Sequence, residues 1–430
     1  MAKIVTGIKD AHELLDELLK ERHYYGRLSQ PDMDFGLDAE DKGYKIGRAD
    51  ETEDRVRRVK VVHIDYSWDL SHPMMPTDLL FGSEDSENIN AARIADTSNH
   101  YKSLHGTACV AALRVKDDTL PLSEEEEKLW NLADFAEVVL VPIRDYPAEE
   151  TAQDRAEAVR LYAEYVGWPQ NLVDYMSEAI LKGTDPDIEK IANEVVQTYQ
   201  TSTQITAALD EVISLSTANI LERGDVVVIT LHEELGDDAA HLPIIHNPWV
   251  EAKVRELTNG HEISVVIPSG NSSLNLDTVE VSRLGVKTLP HMRDKELTLY
   301  QNYGVRCGAV LVGSREDRRA ATTVNSGQCI DVYGRSKLSV PDTTDLPNGQ
   351  ELYQHWHGST IASVVAAALL ACVQQIRFAS PETPLPLKPY EARAHLRQWK
   401  SRSSEGYECV DDLTGPPPNI SDWLRGTGIL

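Results

Sequence analysis

The sequence contains few cysteines, and they form no recognisable pattern. Its 430 residues include five of them, an odd number, and no C-x-x-C pair occurs. The five positions are far apart: Cys109, Cys307, Cys329, Cys372 and Cys409. A disulfide framework and a zinc ribbon both need regularly spaced cysteine pairs, so this distribution argues against each of them. It favours a reducing compartment.

Long apolar runs are also missing. The longest run, residues 361–373, is rich in alanine. It is shorter than the roughly 20 apolar residues that cross a bilayer. The N-terminal residues 1–20 carry charges throughout, which is not the pattern of a secretory signal peptide. We therefore expect a cytoplasmic protein that has no association with membranes.

Basic residues are scarce relative to acidic ones. The chain has 42 Lys and Arg against 69 Asp and Glu, which gives a net charge of −27. Because nucleic acids and anionic membranes are bound by clustered basic residues, neither is an expected partner. No G-x-G-x-x-G or P-loop motif follows a predicted strand, and the histidines at 232, 241 and 246 fit no zinc motif. We expect no cofactor and no metal.

Apolar runs of strand length alternate with segments of helical periodicity. Runs rich in Val, Ile and Leu predict buried strands over 59–64, 137–143, 225–231, 262–268 and 308–314. Apolar residues spaced three and four apart predict helices over 151–166, 186–199 and 205–221. This alternation predicts an α/β fold, with a mostly parallel central sheet between helices on both faces.

The same patterns suggest a division of the chain into three parts. Residues 1–57 are expected to be a helical and extended lead-in, in which a short helix opened by Asp10 carries an apolar stripe of four leucines between positions 14 and 19. Residues 58–378 are expected to form the α/β domain, interrupted by a helical insertion over about 117–200. Residues 379–430 are expected to be a C-terminal extension.

Four polar motifs lie at predicted strand ends or helix starts. VVHIDYSWDLSHP (61–73) places Asp65 at the end of a buried strand, and HGTACVAALRV opens a helix with His105. VVIPSGNSS (265–273) places Asn271 in a turn after a strand, and HGST places Ser359 and Thr360 at a helix start. Each motif alone has a structural explanation as a cap or a turn. Because ligands of open α/β sheets bind at the carboxyl ends of the strands, the four together predict one site.

The motifs resemble, in this order, the catalytic blocks of the subtilisin-like serine peptidases. The D-x-x-x-D-L-S-H-P phrase at Asp65, the H-G-T at 105–107 and VNSGQCIDVYG at 324–334 carry the resemblance, which covers roughly residues 58–378. It implies the family's three-layer sandwich and its hydrolysis of peptide bonds. It also implies that His105 is the general base, that Asp65 orients it and that Asn271 stabilises an oxyanion.

The nucleophile block departs from the family pattern. The family reads G-T-S-x-A-S, whereas this chain reads G-S-T-I-A-S over 358–363. Gly358 and the Ala-Ser pair align Thr360 with the nucleophile and Ser359 with the residue before it. Threonine keeps the hydroxyl, but its methyl group restricts χ1 and adds bulk. The substrate-binding wall, normally S-x-G, has a threonine, a leucine and His232 at 230–232.

Two functions remain open from the sequence. The first is a hydrolase of peptide amide or ester bonds that uses Thr360, with a peptide, protein or small-molecule substrate. The second is a pseudopeptidase, or a repurposed cleft that binds a ligand or performs different acid–base chemistry. The residues expected at the rim or in contact with substrate are Ser359, His357, His232, Glu233 and Gly270. The sequence does not define an oligomeric state.

Overall fold

The fold was obtained as a computed structural model of the chain. It describes residues 3–4, 44–45, 57–72, 75–95, 100–114, 136–144, 151–166, 170–184, 186–235, 240–276, 307–316, 319–320, 323–327, 329–335, 337–341, 353–379, 385–398, 401–402 and 408–409. The short helix predicted to begin at Asp10 lies outside the described residues.

The strands include all five that the sequence predicts. They are β1 (Lys3–Ile4), β2 (Tyr44–Lys45), β3 (Lys60–Asp65), β4 (Leu80–Phe81), β5 (Glu137–Pro142), β6 (Val226–Ile229), β7 (His232–Leu235), β8 (Ala240–Pro243), β9 (Ser264–Pro268), β10 (Val310–Glu316), β11 (Arg319–Ala320), β12 (Val332–Arg335), β13 (Lys337–Pro341), β14 (Tyr353–His357), β15 (Ser401–Arg402) and β16 (Glu408–Cys409). The predicted strands β3, β5, β6, β9 and β10 are confirmed.

Eight α-helices accompany these strands in the described part of the chain. They are α1 (Glu84–Ala95), α2 (His100–Leu113), α3 (Ala152–Val166), α4 (Gln170–Lys182), α5 (Pro186–Thr217), α6 (Pro248–Arg255), α7 (Ser359–Ala379) and α8 (Pro389–Gln398). Of the helices that the structure describes, none is long enough and apolar enough to span a membrane.

Within the described residues, the central sheet has ten strands and is mostly parallel. Its order is β15–β16–β12–β10–β9–β6–β3–β5–β4, with β11 paired to β10 at one side. Every neighbouring pair from β16 to β4 is parallel, and only β15 and β11 run antiparallel to their partners. The carboxyl ends of β3, β6 and β9 therefore lie side by side. Asp65 is at the end of β3, and Asn271 follows the end of β9.

Helices cover both faces of this sheet, as the strand patterns predict. Val61 and Val226 face a core that includes Val110 of α2 and Val364 of α7. The next residues along the same strands face the opposite core, which contains apolar residues of α5 and α6. Side chains that are buried on alternating faces explain why these strands are continuously apolar. The fold is a three-layer α/β sandwich.

The predicted helices over 186–199 and 205–221 are one continuous helix, so that boundary is wrong. Helix α5 runs for 32 residues, from Pro186 to Thr217. The polar segment 200–204 suggested a break, but it contains neither glycine nor proline. Nothing there interrupts the i→i−4 hydrogen bonds, because hydroxyl and amide side chains cost little in a helix. Ile205, Leu209 and Val212 then pack under the sheet.

Part of the predicted C-terminal extension packs onto the domain. Leu387, Ala392 and Leu396 lie in the same core as the strand residue Val61. Strand β16 pairs with β12 and extends the central sheet. These residues therefore contribute to the core and to the sheet of the α/β domain.

Candidate active site

Asp65 and His105 meet at the carboxyl end of the sheet. Asp65 is the last residue of β3 and is 1% exposed, while His105 lies within α2. His105 Nδ1 lies 2.8 Å from Asp65 Oδ2. The other carboxylate oxygen, Oδ1, accepts a hydrogen bond from the backbone N–H of Tyr66 at 2.6 Å. A buried carboxylate therefore holds the imidazole by the nitrogen that faces into the protein.

The pair stabilises its charged form against the cost of burial. Burial alone would raise the pKa of Asp65, but the charge and hydrogen bond of His105 outweigh it and hold that pKa below its usual value. Burial alone would lower the pKa of His105, but the Asp65 carboxylate raises it above the usual value. Such opposite pKa shifts are typical of an acid–base pair in which each member stabilises the charged form of the other.

Local packing sets the height of His105 relative to β3. A Cβ added at Gly106 would lie 2.2 Å from the carbonyl oxygen of Ser67, so only glycine allows α2 to approach this closely. Thr107 Oγ1 accepts a hydrogen bond from the backbone N–H of Asp69 at 2.8 Å. These two contacts tie the H-G-T turn of α2 to the loop after β3 and explain its sequence.

Asn271 lies against the first residue of α7. Its Oδ1 accepts two hydrogen bonds from Ser359, from the backbone N–H at 2.9 Å and from Oγ at 3.0 Å. Because Oδ1 is used in this way, the side-chain amide directs its Nδ2 donor away from Ser359. Gly358 has φ +125°, and a Cβ there would lie 2.9 Å from both Oδ1 and Nδ2 of Asn271. The glycine therefore leaves room for the amide beside the start of the helix.

The turn that carries Asn271 is held by a residue that the sequence did not single out. Asn325 is fully buried, and its Nδ2 donates to the carbonyl oxygens of His241 and Ser269, both at 2.7 Å. Its Oδ1 accepts from the backbone N–H groups of Ser272 and Leu274 at 3.1 and 3.0 Å. The one sequence feature that could have identified Asn325 is its position in the segment 324–334, which resembles the family.

Gly270 contributes to this turn by its backbone. It has φ +96°, and a Cβ there would lie 2.0 Å from the carbonyl oxygen of His241, so a side chain is not tolerated. Its N–H lies 3.1 Å from Ser359 Oγ and donates to it. The expected rim residues Gly270 and Ser359 are thus brought together, but Ser359 is buried at the start of α7 and is not at a rim.

Thr360 faces a second histidine. Its hydroxyl Oγ1 lies 3.4 Å from His232 Nε2, and Ser359 Oγ lies 3.3 Å from the same nitrogen. Burial, aided by the nearby His241 and His105, lowers the pKa of His232 to about 3. The ring is therefore neutral near neutral pH. It stacks on His241 with ring centroids 5.4 Å apart. His232, which we expected at the rim, lies within the site.

Two other expected rim residues have different positions. Glu233 is buried, with Oε2 3.1 Å from His246 Nδ1 and Oε1 3.3 Å from Asn247 Nδ2. Its carboxylate is thus used in the protein interior and is not offered to a basic substrate group. His357 is the last residue of β14, next to Gly358, and its side chain lies outside the described part.

A third histidine lies behind Asp65 and was missed from the sequence. His63 is fully buried on β3 and contacts Trp68, and its Nε2 lies 3.1 Å from Thr230 Oγ1. Thr230 Oγ1 in turn lies 2.6 Å from Asp65 Oδ2. The sequence feature that could have identified His63 is a polar residue inside an otherwise apolar strand.

Among the described residues, one cluster has the side chains that metals prefer. Potential ligand atoms of His63, Asp65 and Cys109 lie within 4.8 Å of one another. The nitrogens of His63 and the oxygens of Asp65 are already used in hydrogen bonds. Burial and the Asp65 charge raise the pKa of the Cys109 thiol well above its usual value, which disfavours the thiolate that binds metals. The cluster fits a hydrogen-bond network better than an ion site.

Comparisons with known proteins found similarity to solved structures. No family model matches the sequence. No curated protein matches it either. A cold-adapted subtilisin-like serine proteinase is 12% identical, with 86% of this chain and 97% of that one covered and a TM-score of 0.42. The patellamide maturation protease PatA is 15% identical, with 86% and 97% covered and a TM-score of 0.42.

A third similar structure is a protease from Pseudoalteromonas arctica. It is 14% identical, with 86% of this chain and 91% of that one covered and a TM-score of 0.45. At these identities and TM-scores the similarity carries no argument about function. The function is therefore inferred from the side chains of this chain.

Proposed function

We propose that this protein is a hydrolase of the subtilisin-like peptidase class, which cleaves peptide amide or ester bonds through an acyl intermediate on Thr360. The observation that carries the proposal is the 2.8 Å contact between His105 Nδ1 and the buried Oδ2 of Asp65. A histidine that is oriented by a carboxylate through Nδ1 has its other nitrogen, Nε2, directed to the opposite side of the ring. It is therefore suited to move a proton at that atom.

The proposed first step forms the acyl intermediate. Thr360 Oγ attacks the carbonyl carbon of the substrate, and His105 Nε2 accepts the hydroxyl proton. Asp65 stays ionised and stabilises the imidazolium. The oxyanion that develops on the substrate is stabilised by Asn271 Nδ2 and by the positive N-terminal end of α7. The amine leaves with the proton held by His105.

The proposed second step releases the acid. A water molecule attacks the acyl-threonine ester, and His105 accepts its proton. The tetrahedral intermediate collapses, the carboxylic acid leaves, and the proton returns to Thr360 Oγ. Substrates of this chemistry are peptides, protein segments or activated esters, and the proposal assigns each proton transfer to His105.

The threonine is expected to make this reaction slow. Its methyl group restricts χ1, and its hydroxyl is largely buried and directed to His232. A misplacement of about 1 Å can cost on the order of 10²-fold in rate. Thr360→Ser removes the methyl group and keeps the hydroxyl, so we expect it to hydrolyse substrates faster than the natural chain.

The test is cleavage of a mixed peptide library by the natural chain and by three variants. Thr360→Ser should be faster, whereas Thr360→Val, which has the same shape without a hydroxyl, should be inactive. His105→Gln should also be inactive. Circular dichroism and the melting temperature establish that each variant is folded. Cleavage by Thr360→Val at the natural rate would contradict the proposal.

A second candidate function is a cleft that binds a peptide or small molecule without turnover. The contact between Thr360 Oγ1 and His232 Nε2 favours it, because a hydroxyl held there is not presented to His105. In that case neither the natural chain nor Thr360→Ser cleaves any peptide of the library, although both retain peptides in an equilibrium pull-down. A covalent acyl adduct on Thr360 would contradict this second function.

A further inference from the structure

Strand β3 carries a histidine where its neighbours are apolar. His63 is completely buried and lies on the same face of the strand as Asp65, because side chains alternate between faces. Val61 is on that face too and belongs to the apolar core. A polar ring in this position costs free energy unless its nitrogens are hydrogen-bonded. Both nitrogens of His63 have partners.

The partners of His63 determine its tautomer. Trp68 Nε1 lies 2.8 Å from His63 Nδ1. An indole N–H only donates, so Nδ1 accepts, and the neutral ring carries its proton on Nε2. That nitrogen lies 3.1 Å from Thr230 Oγ1, which therefore accepts the hydrogen bond from His63.

Thr230 relays this hydrogen bond to Asp65. Its oxygen already accepts from His63, so its own proton is directed to one of two acceptors. Asp65 Oδ2 lies at 2.6 Å and the carbonyl oxygen of Ile64 at 3.0 Å. The shorter contact is to a charged acceptor, which makes the stronger bond. Asp65 Oδ2 is also the atom that binds His105 Nδ1.

We propose that His63 is a positioning residue for the acid–base pair. By donating to Thr230, it directs the threonine hydroxyl at Asp65 Oδ2 and holds that oxygen where it binds His105. The inference rests on the proposed roles of Asp65 and His105. His63 acts through Thr230 and does not contact the substrate.

The ring of His63 is neutral at physiological pH, as this role requires. Burial lowers the pKa of His63 to about 4, although the Asp65 charge opposes the shift. The titratable groups that face it are Asp65 on its own strand and His105 and Cys109 on α2. The indole of Trp68 meets the ring edge-on, with centroids 5.6 Å apart. A proton on Nδ1 would face the Trp68 N–H, so protonation would break the chain of hydrogen bonds.

Kinetics of single and double variants test the proposal in the full-length protein. His63→Leu should lower kcat by about tenfold, the scale of one lost hydrogen bond, and leave KM unchanged. Thr230→Val should have the same effect. The double variant should lose no more than either single one, because His63 acts through Thr230. His63→Gln, whose amide both donates and accepts, should recover most of the rate.

A matched control separates positioning from stability. Val62→Ala removes buried atoms from the opposite face of β3, so it should lower the melting temperature and leave kcat unchanged. Additive losses of kcat in His63→Leu and Thr230→Val would overturn the proposal. So would a loss in His63→Gln that equals the loss in His63→Leu.

A measurement that needs no turnover keeps this inference separate from the proposed function. Nitrogen-15 NMR of the histidine rings should show His63 protonated on Nε2 and not on Nδ1 near neutral pH. The Nδ1 proton of His105 should exchange with solvent about tenfold faster in His63→Leu than in His63→Gln. Unchanged exchange in His63→Leu would overturn the positioning role even if no peptide is cleaved. Loss of all cleavage with the predicted exchange would overturn only the proposed function.

Discussion

The hydroxyl of Thr360 faces His232, with Oγ1 3.4 Å from Nε2. His105 and His232 thus lie in the same site with different surroundings. Asp65 raises the pKa of His105 despite its burial, whereas burial lowers that of His232 to about 3. In the tautomer whose Nε2 is unprotonated, a neutral His232 accepts the hydroxyl proton of Thr360, and that contact competes with donation to His105.

Removal of the His232 ring is therefore expected to increase turnover. In His232→Ala the Thr360 hydroxyl loses this acceptor, and the proton becomes available to His105. We expect kcat for an activated ester to rise by a few-fold and at most about tenfold, the scale of one hydrogen bond. Steady-state kinetics checks this.

His261→Ala is the control for this variant, because His261 precedes β9 and the site lies beyond the other end of that strand. It should leave kcat unchanged. A loss of activity in His232→Ala equal to that in His105→Gln would instead identify His232 as the base.

The raised pKa of His105 predicts the acid limb of the pH–rate profile. The base must be neutral to accept a proton, so kcat/KM should fall as the pH drops through a value above that of an ordinary histidine. Asp65→Asn removes the charge that raises this pKa. The acid limb should then move to lower pH, while kcat falls by a factor on the order of 10³–10⁴. An unchanged midpoint in Asp65→Asn would contradict the assignment.

Two buried histidines predict a loss of stability in mild acid. The pKa of His63 is lowered from 6.5 to about 4 and that of His232 to about 3, in both cases chiefly by burial. The unfolded chain binds these protons below pH 6.5, whereas the native protein does not. The free energy of unfolding should therefore fall as the pH is lowered from 6.5 toward 4.

Urea unfolding at several pH values measures this slope. Each histidine contributes up to about 1.4 kcal/mol per pH unit over that interval. His63→Gln should reduce the slope by about one proton, because glutamine does not titrate. A slope that is unaffected by His63→Gln would mean that His63 is protonated in the native protein.

Gly358 is predicted to be required both for folding and for the position of Asn271. Its φ of +125° is unfavourable for other residues, and an added Cβ would lie 2.9 Å from the Asn271 amide. Gly358→Ala should cost about 1–3 kcal/mol in the free energy of unfolding and should lower kcat more than it raises KM. Chemical denaturation and steady-state kinetics check both effects.

Gly260→Ala is the matched control, since a Cβ there would meet no atom within 4 Å. It should leave the rate unchanged and should not lower the free energy of unfolding. Equal effects of the two alanines would show that the close approach to Asn271 is not important.

The sequence predicted the sheet better than it predicted the site. Strands buried on both faces are continuously apolar, so β3 and β6 could be located to within two residues from composition alone. Asp65 was found because it lies where a strand ends, and His105 because it begins the family-like H-G-T motif. The prediction that His105 opens its helix was wrong, since α2 begins at His100. Helix α5 was divided in error, since polar residues do not stop a helix that packs on a core.

The site residues that could not be identified from the sequence act through contacts with residues that are far away in the chain. Asn325 binds the turn after β9, and His63 reaches Asp65 through Thr230, which lies 167 positions after His63. Such partners are determined by the sheet order and not by any local spacing. Glu233 shows the converse, because a charged residue beside the cleft wall has its partners, His246 and Asn247, in the interior.

Covalent labelling of the nucleophile tests the central claim most directly. The purified protein is incubated with a fluorophosphonate probe, quenched with acid, digested and mapped by mass spectrometry. We predict a phosphonyl group on Thr360, formed faster on the serine in Thr360→Ser and absent in Thr360→Val and in His105→Gln. Labelling on Ser359, or equal labelling of Thr360→Val, would contradict the assignment of Thr360 as the nucleophile.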